Sequence, residues 1–439
     1  MSERRAAPAD APAGTVAFVG AAGREPRHRY ALGALLDPLG LRLVDEGQPA
    51  VVRVSYRAGT QPAALPLERI HPRLLDDAFA ALTLAGEAAS TVDEYDRPLP
   101  PETPPASFAE LTGLLARELS CAPDGGMRYS GGERFAVALT HDVDALGGGG
   151  FTAATRKALL GAALLPHSRD ARRRRLEARA YVADARAGRD PKFPLDAILA
   201  AEQTLGWRST FFFLVRRSDE RDGIGRRYRA RLAQTVSDCA ASDLEVGLHA
   251  SYRASEQPGA IAAETELFVR QTGLRPTGMR HHYLRSTPSR LAEELRAAGL
   301  EYDTSIGWAT APGARAGTPF PYRLWDVATG EAGGWELPLF VMDGTLNRYL
   351  GLDADGAYEA AVAALEPVAA AAGACAILWH PPNHHPVLAS RYDVTYRRLL
   401  AWIAERGGVG GSARETLERW RRRVRVDGPA RGASGHAPV

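Results

Sequence analysis

The sequence predicts an α/β protein whose main part is a closed or nearly closed β/α barrel. Seven short runs rich in apolar or β-branched residues begin at Phe135, and helix-like segments separate most of them. Strands that alternate with helices form parallel βαβ units with the helices outside, and seven units in about 260 residues fit a barrel. An open doubly wound sheet is the alternative, although no GxGxxG motif follows the first strand. The predicted strands are Phe135–Thr140, Thr210–Val215, Leu244–His249, Thr277–Arg280, Glu301–Ile306, Trp335–Phe340 and Cys375–His380.

Amphipathic segments between these runs predict the helices of the barrel. The arginine-rich stretch Arg169–Arg189 also has a helical pattern. Its four consecutive arginines indicate a solvated helix face, with a patch for an anionic surface as the alternative. The other predicted helices are Leu195–Leu205, Arg226–Ala241, Ala260–Thr272 and Pro288–Ala298.

A smaller α/β domain precedes the barrel in this prediction. Thr15–Gly20, Leu41–Val44 and Val51–Tyr56 are strand candidates, and Arg29–Leu39 is a helix candidate. Five prolines in Tyr95–Ser107 indicate a linker or wrapping loop. We therefore expect an N-terminal domain with its linker at 14–130 and the barrel at 131–425. Disordered tails are expected at 1–13 and 426–439.

Composition is that of an ordinary globular protein. The 439 residues are 45% hydrophobic and 24% charged, which excludes a disulfide scaffold, a collagen-like fibre and a wholly disordered chain. The formal net charge of +2 does not indicate nucleic-acid binding. The three cysteines lie far apart, no apolar signal segment opens the chain, and no apolar run reaches 18 residues. We expect a cytoplasmic protein without a membrane span, and the sequence does not predict its oligomeric state.

Seven of the eleven histidines lie at or just after the ends of predicted strands. In a parallel barrel those ends share one face, and active sites are built there. The clustering therefore predicts a catalytic or metal site. These residues are His141, His249, His281, His282, His380, His384 and His385.

Asp142 and Asp144 follow the first barrel strand and are candidates for acid–base and metal chemistry. Residues two apart on a strand face the same way, so both carboxylates can face the barrel mouth. Two carboxylates there repel each other unless a cation or a proton lies between them. One could bind a metal while the other acts as a base. The alternative is that both residues cap a turn before the glycine run at 147–150.

The other strand ends supply nitrogen donors. His249 suits a borderline divalent metal such as zinc, and Arg280 could pair with a carboxylate and hold it ionised. His281 and His282 face opposite ways if the strand continues, so only one can enter the site. His380 could protonate a leaving group. For each of these histidines, an ordinary hydrogen-bonded role in the fold is the alternative.

Three residues are candidates for substrate contact. Trp379 could form an apolar wall for a sugar ring, and Tyr283 and His141 are the other two. Loop packing is the alternative for Trp379. It is also the preferred interpretation of His384 and His385, which we expect to be exposed.

These segments, in this order, resemble the polysaccharide deacetylase superfamily, also called the NodB-homology superfamily or carbohydrate esterase family 4. The resemblance runs from about Phe135 to about Trp402, and the motif THDVD is similar to that of a divergent bacterial branch with an extra N-terminal module. The matching segments are THDVD at 140–144, RSTFFF at 208–213, EVGLHASY at 245–252, RHHYLR at 280–285, YDTSIGW at 302–308, RAGTPFP at 315–321, ELPLFVMDGTL at 336–346 and LWHPPN at 378–383.

The resemblance implies a distorted (β/α)7 barrel and metal-dependent hydrolysis of an N-acetyl or related acyl group on a carbohydrate or glycoconjugate. It implies that Asp142 is the catalytic base, that Arg280 orients this base, and that His380 is the general acid. Asp144 and His249 match metal ligands. The implied cofactor is one divalent ion, zinc first, with nickel or cobalt as alternatives.

The sequence departs from the family's second metal motif, HxxxH. Arg253 stands four residues after His249, and a guanidinium has no lone pair to give a metal. His282 is therefore our candidate for the third ligand, with His281 as the second choice. Two other functions stay open: hydrolysis of a non-sugar amide such as a cyclic imide or ureide, and carbohydrate binding without catalysis.

Overall fold

The structure is a computed structural model that describes residues 15–20, 25–56, 64–101, 107–121, 129, 131–147, 169–387 and 391–424. Both predicted tails and most of the glycine run at 147–150 lie outside the described residues. The described part is an α/β protein with two sheets, one of four strands and one of ten. None of its helices is both long and apolar enough to cross a membrane.

The smaller sheet consists of short parallel strands in the order β2-β1-β3-β4. Its first helix begins at a proline, whose fixed φ suits the first helical position. The third begins after Ser107, where the Ser107 and Glu110 side chains form a capping box. The strands are β1 (Thr15–Val19), β2 (Arg42–Val44), β3 (Val52–Ser55) and β4 (Leu65–Pro66), and the helices are α1 (Pro26–Leu36), α2 (Leu74–Thr83) and α3 (Phe108–Glu118).

The larger sheet is parallel except for one antiparallel hairpin, and its order is β10-β11-β9-β8-β7-β6-β5-β13-β12, with β14 beside β5. Its strands are β5 (Phe135–Val143), β6 (Thr210–Leu214), β7 (Glu245–Ala250), β8 (Gly278–His281), β9 (Tyr302–Asp303), β10 (Tyr322–Asp326), β11 (Glu331–Glu336), β12 (Leu339–Met342), β13 (Ala374–Leu378) and β14 (Gly408–Gly411). Its helices are α4 (Arg169–Arg186), α5 (Leu195–Gln203), α6 (Arg226–Ala241), α7 (Ala260–Thr272), α8 (Pro288–Ala298), α9 (Ala354–Ala370), α10 (Tyr392–Glu405) and α11 (Ala413–Val424).

Burial on both faces explains the composition of the central strands. All five residues of β6 are buried, as is usual for a parallel strand covered on both sides. A Cβ on Gly247 of β7 would lie 2.5 Å from the Phe212 ring, so only glycine permits this contact between β6 and β7. Helices α6, α7 and α8 have the bounds that the hydrophobic period predicts.

The predicted strand Trp335–Phe340 is divided in the structure into β11 and β12. Pro338 lies at the break and has no N–H to donate to a neighbouring strand. Backbone pairing still continues on both sides: Leu339 N–H donates to Ile306 O, and Ala376 N–H donates to Pro338 O. This segment therefore lies between the residues that follow β9 and strand β13, and the sheet curls. The number of seven barrel strands stays a prediction.

The N-terminal α/β unit contacts the larger sheet through the hairpin β10–β11. The Tyr30 hydroxyl donates to the Arg323 carbonyl oxygen, and the rings of Tyr30 and Phe79 pack against Trp325. Arg315 forms a two-pronged ion pair with Glu87. One hydrophobic cluster includes residues from both parts. The division into two domains near 105–130 stays a prediction.

Candidate active site

Strand β5 presents alternate side chains to the barrel mouth, as its sequence predicts. Arg280 Nη1 donates to both Thr140 Oγ1 (2.8 Å) and Asp142 Oδ1 (2.9 Å), so these two residues share one face. His141 lies on the other face, where its Nε2 is 3.0 Å from Glu202. The strand runs three residues beyond its predicted end, through Val143.

Asp144, His249 and His282 place three possible metal ligands within 4.8 Å of one another. Asp144 Oδ1 is 3.3 Å from His249 Nε2 and 3.7 Å from His282 Nε2. The Nδ1 atoms of both rings are already engaged, His249 with the Arg280 carbonyl oxygen (2.9 Å) and His282 with Asp222 Oδ1 (2.8 Å). When Nδ1–H donates in this way, the ring is fixed in the tautomer whose Nε2 lone pair is free for a metal.

The donor set fits a divalent metal. Asp144 Oδ1 is buried without a hydrogen-bond partner, which is costly for a carboxylate oxygen unless a cation or water occupies the space beside it. Two imidazole nitrogens and a carboxylate oxygen form the three-ligand set typical of catalytic zinc, with a position left for water or substrate. The Asp144 side chain is 38% exposed, whereas that of His249 is 1% exposed, so solvent reaches the cluster from the aspartate side.

The charges around the cluster also favour a bound cation. Burial acts to raise the pKa of Asp144, but the adjacent His249, His282 and His380 outweigh burial and hold this pKa well below its usual range. Burial acts to lower the pKa of His249, but Asp142 and Asp144 outweigh it and raise this pKa. The Asp144 carboxylate is therefore ionised, and a cation beside it would be stabilised.

Arg280 holds Asp142 from inside the barrel. Its side chain is fully buried, and its Nε and Nη2 donate to the carbonyl oxygen and hydroxyl of Thr304. The guanidinium also lies over the Phe212 ring, 4.9 Å from its centroid. These contacts fix the arginine, so one carboxylate oxygen of Asp142 stays hydrogen-bonded to the guanidinium cation.

His380 faces the cluster from the opposite side, after β13. Its Nε2 is 3.6 Å from Asp144 Oδ2, and its Nδ1 is 2.6 Å from Asp343 Oδ1. Asp343 also accepts from the His380 backbone N–H and from Asn383 Nδ2. Burial acts to lower the pKa of His380, but Asp343 and then Asp144 and Asp142 raise it to about 10. The imidazole is therefore protonated at neutral pH and can donate a proton.

Comparisons with known proteins give similarities of shape only. No protein-family model matches the chain, and no curated protein matches its sequence. A solved polysaccharide deacetylase from Mycobacterium smegmatis is 18% identical to this chain, with a TM-score of 0.43. The alignment covers 67% of this chain and 93% of the deacetylase. An allantoinase is 14% identical with a TM-score of 0.44, covering 67% and 92%. A polysaccharide deacetylase from Pseudomonas aeruginosa is 14% identical with a TM-score of 0.43, covering 67% and 93%. At these values the likeness assigns no role to any residue.

The structure places two of the predicted substrate-contacting residues away from the mouth. Trp379 is fully buried and packs against Tyr392 and Tyr396 of α10, so it cannot form the wall of an open site. His141 is equally buried, on the outer side of the sheet. This placement does not support the predicted substrate contacts: a strand directs neighbouring residues to opposite faces, and these two lie next to residues of the inner face.

Other predicted residues have mixed outcomes. Tyr283 lies at the rim, with its ring centroid 4.7 Å from that of His282. His281 points outward to Glu294, at 3.5 Å. The expectation that His384 and His385 are exposed was wrong: both are buried, at 3% and 6% exposure. His385 Nε2 lies 2.7 Å from Asp184, which supplies the partner that the sequence did not reveal.

Arg253, which replaces the expected second histidine, takes no part in the cluster. It is exposed, and its Nε donates to Asp219 Oδ2 at 3.0 Å. His282 instead approaches from the next strand. After β8 ends, the chain turns through Tyr283 (φ 61°) and Leu284 (φ 57°) in the left-handed region, which costs about 1–2 kcal/mol for each side-chain-bearing residue. Such strain is retained where surrounding contacts impose it.

Sequence reasoning missed two carboxylates of the site. Asp343 follows β12 and anchors His380, and its position just after a predicted strand was a usable signal. Asp222 anchors His282 and also accepts from the backbone N–H groups of Ser218 and Tyr252. It lies in a loop between β6 and α6, and nothing in its sequence surroundings distinguishes it from other loop aspartates.

Proposed function

We propose that this protein is a metal-dependent hydrolase that removes an N-acetyl or related acyl group from a carbohydrate or glycoconjugate. The observation that carries the proposal is the convergence of Asp144 Oδ1 and two histidine Nε2 atoms, with both Nδ1 atoms engaged elsewhere. This cluster lies between an arginine-bound aspartate and an aspartate-bound histidine. The proposal includes a distorted (β/α)7 barrel and a separate N-terminal domain.

Asp144, His249 and His282 would hold one divalent ion, zinc first. When bound, such an ion polarises an amide carbonyl and lowers the pKa of a water molecule. Asp142 lies beside this position, with Oδ2 3.6 Å from His249 Nε2, and accepts the proton of the attacking water. Arg280 orients this carboxylate through Oδ1, which leaves Oδ2 to act as the base.

His380 completes the reaction on the other side of the cluster. The water oxygen bonds to the acyl carbon, the carbon–nitrogen bond breaks, and the imidazolium gives its proton to the departing amine. The products are a carboxylic acid and a free amine. Asp343 holds His380 through Nδ1, so the proton that is transferred is the one on Nε2, which faces Asp144.

A carbohydrate is the favoured substrate class on two grounds. The ordered motifs resemble a superfamily of carbohydrate deacetylases. The partly exposed ring of Tyr283 also lies beside His282, where the buried rings of Tyr95 and Tyr252 pack against it. Aromatic rings with a polar hydroxyl present both an apolar face and a hydrogen-bonding group, as a sugar ring requires.

A substrate screen tests the proposal. The full chain, loaded in turn with zinc, cobalt and nickel, would be incubated with N-acetylated sugars and with small cyclic imides and ureides. We expect release of acetate from at least one N-acetylated sugar, dependent on the metal. Hydrolysis of the cyclic amides alone would replace the carbohydrate substrate, and no hydrolysis at all by the metal-loaded protein would overturn the proposal.

Asp343→Asn is expected to move the alkaline limit of activity to lower pH. The acid form of His380 is required, so activity falls as pH rises through the pKa of this histidine, and Asp343 is the main group that raises that pKa. Loss of the Asp343 carboxylate lowers the pKa of His380, so the imidazolium loses its proton at a lower pH. The measurement is kcat/KM against pH, with Asp393→Asn, which removes the ion-pair partner of Arg397 on α10, as the control. An unchanged alkaline limit in Asp343→Asn would contradict the role of this pair.

A further inference from the structure

The position of His282 depends on a turn that the chain does not adopt easily. Strand β8 ends at His281, so regular strand geometry does not extend to His282. Tyr283 and Leu284 then take left-handed backbone conformations, which are uncommon for residues with large side chains. Contacts from the surrounding structure stabilise such an unfavourable conformation.

Arg97 of the N-terminal segment supplies such a contact. Its Nη1 donates to the Tyr283 carbonyl oxygen at 3.0 Å, and its Nη2 donates to the Tyr349 hydroxyl at 2.6 Å. Asp93 accepts from Nε and Nη2 of the same guanidinium, which fixes its plane. The side chain is only 5% exposed, although Arg97 lies in a loop of the N-terminal segment.

The same loop covers the turn with an aromatic ring. Tyr95 packs on Tyr283 with ring centroids 4.9 Å apart, and Tyr283 packs on His282 at 4.7 Å. Arg285, which follows the turn, donates from Nε to the Tyr95 carbonyl oxygen at 2.9 Å. The loop therefore donates a hydrogen bond to the turn, and Arg285 after the turn donates one to the loop. A planar guanidinium with several fixed donors suits the role of Arg97 better than an ammonium group.

We propose that Arg97 is a positioning residue for the metal ligand His282, and that the N-terminal segment is thereby part of the metal site. The inference rests on the metal cluster of the proposed function. Arg97 is not one of the three possible ligands: it holds the Tyr283 carbonyl oxygen, this contact stabilises the left-handed turn, and the turn keeps the His282 ring directed at Asp144.

Arg315 provides a matched control. Like Arg97, it is a buried arginine that pairs with a carboxylate through two nitrogens and connects the N-terminal part to the rest of the chain, and its side chain is 3% exposed. Its partner is Glu87, and it has no hydrogen bond to the 282–284 turn. Loss of either arginine removes a comparable buried contact, but only the loss of Arg97 releases the turn.

Zinc affinity of the full chain, measured by competition with a chromogenic chelator, tests the proposal without reference to turnover. Arg97→Ala is expected to weaken zinc binding by about 10- to 100-fold, the range typical of residues that orient a ligand. Arg315→Ala should lower the melting temperature and leave zinc affinity unchanged. Equal zinc affinity in Arg97→Ala and the unmodified protein would overturn the inference alone, whereas an unmodified protein that binds no zinc would overturn the proposed function as well.

A double-variant experiment separates positioning from general stability. Asparagine adopts the left-handed region more readily than tyrosine, so Tyr283→Asn should make the turn less dependent on Arg97. In this background, Arg97→Ala is expected to weaken zinc binding by less than about threefold, because the two changes affect one shared interaction. An equal loss of affinity in both backgrounds would contradict the account of the strained turn. The comparison remains informative if Arg97→Ala alone is poorly folded, since Arg97→Lys can replace it in both backgrounds.

Discussion

Asp142→Asn is expected to lower kcat by about 10²- to 10⁴-fold, the usual contribution of a general base, while the metal stays bound. The amide keeps the shape of the side chain and can still accept from Arg280 Nη1, so the barrel interior is preserved. It cannot accept a proton from water, however, and Asp142 is outside the set of three residues that could hold the ion. When both are measured on the same sample, we therefore expect kcat to fall and the metal content to stay unchanged.

A control for this variant is Asp184→Asn. Asp184 is also a buried aspartate with a side-chain partner, His385, and it is not one of the three residues of the cluster. Its substitution should leave kcat within about twofold, as expected for a residue outside the acid–base machinery. Full activity in Asp142→Asn would show that another group accepts the proton, and loss of the metal would show that Asp142 is a ligand.

His282→Ala is expected to weaken zinc binding by more than about 100-fold, beyond the effect of outer partners of a metal site. The neighbouring His281→Ala is the matched control, since it removes the same side chain from the adjacent position. Because His281 points outward to Glu294, its loss should leave zinc affinity unchanged. Chelator competition on both variants is the measurement. If His281→Ala lost the metal and His282→Ala kept it, the assignment of the third ligand would be reversed.

Local sequence patterns predicted most of the barrel elements because their physical causes are local. The hydrophobic period of α6, α7 and α8 matched the observed bounds, and the apolar run of β6 matched a strand buried on both faces. The hairpin β10–β11 and strand β14 were missed. Gly408–Gly411 has little side-chain signal, and its pairing with β5 comes from distant parts of the chain.

Strand alternation predicted that Asp142 and Asp144 face the same way, and the same rule would have excluded His141 and Trp379 from the mouth. Grouping every histidine at a strand end was too coarse, because half of the positions at such an end point outward. Asp222 could not be found from sequence, since its role depends on a loop that folds against His282. The contact of Arg97 with Tyr283 joins positions 186 residues apart, so no local pattern reveals it.

The most direct test of the account is the metal content of the purified full chain by inductively coupled plasma mass spectrometry, beside Asp144→Ala and His249→Ala. We predict about one zinc, nickel or cobalt ion per chain, as in a three-ligand catalytic site, and loss of the ion in both variants. A protein that is isolated without metal and cannot be reloaded, or one whose metal persists in both variants, would contradict it.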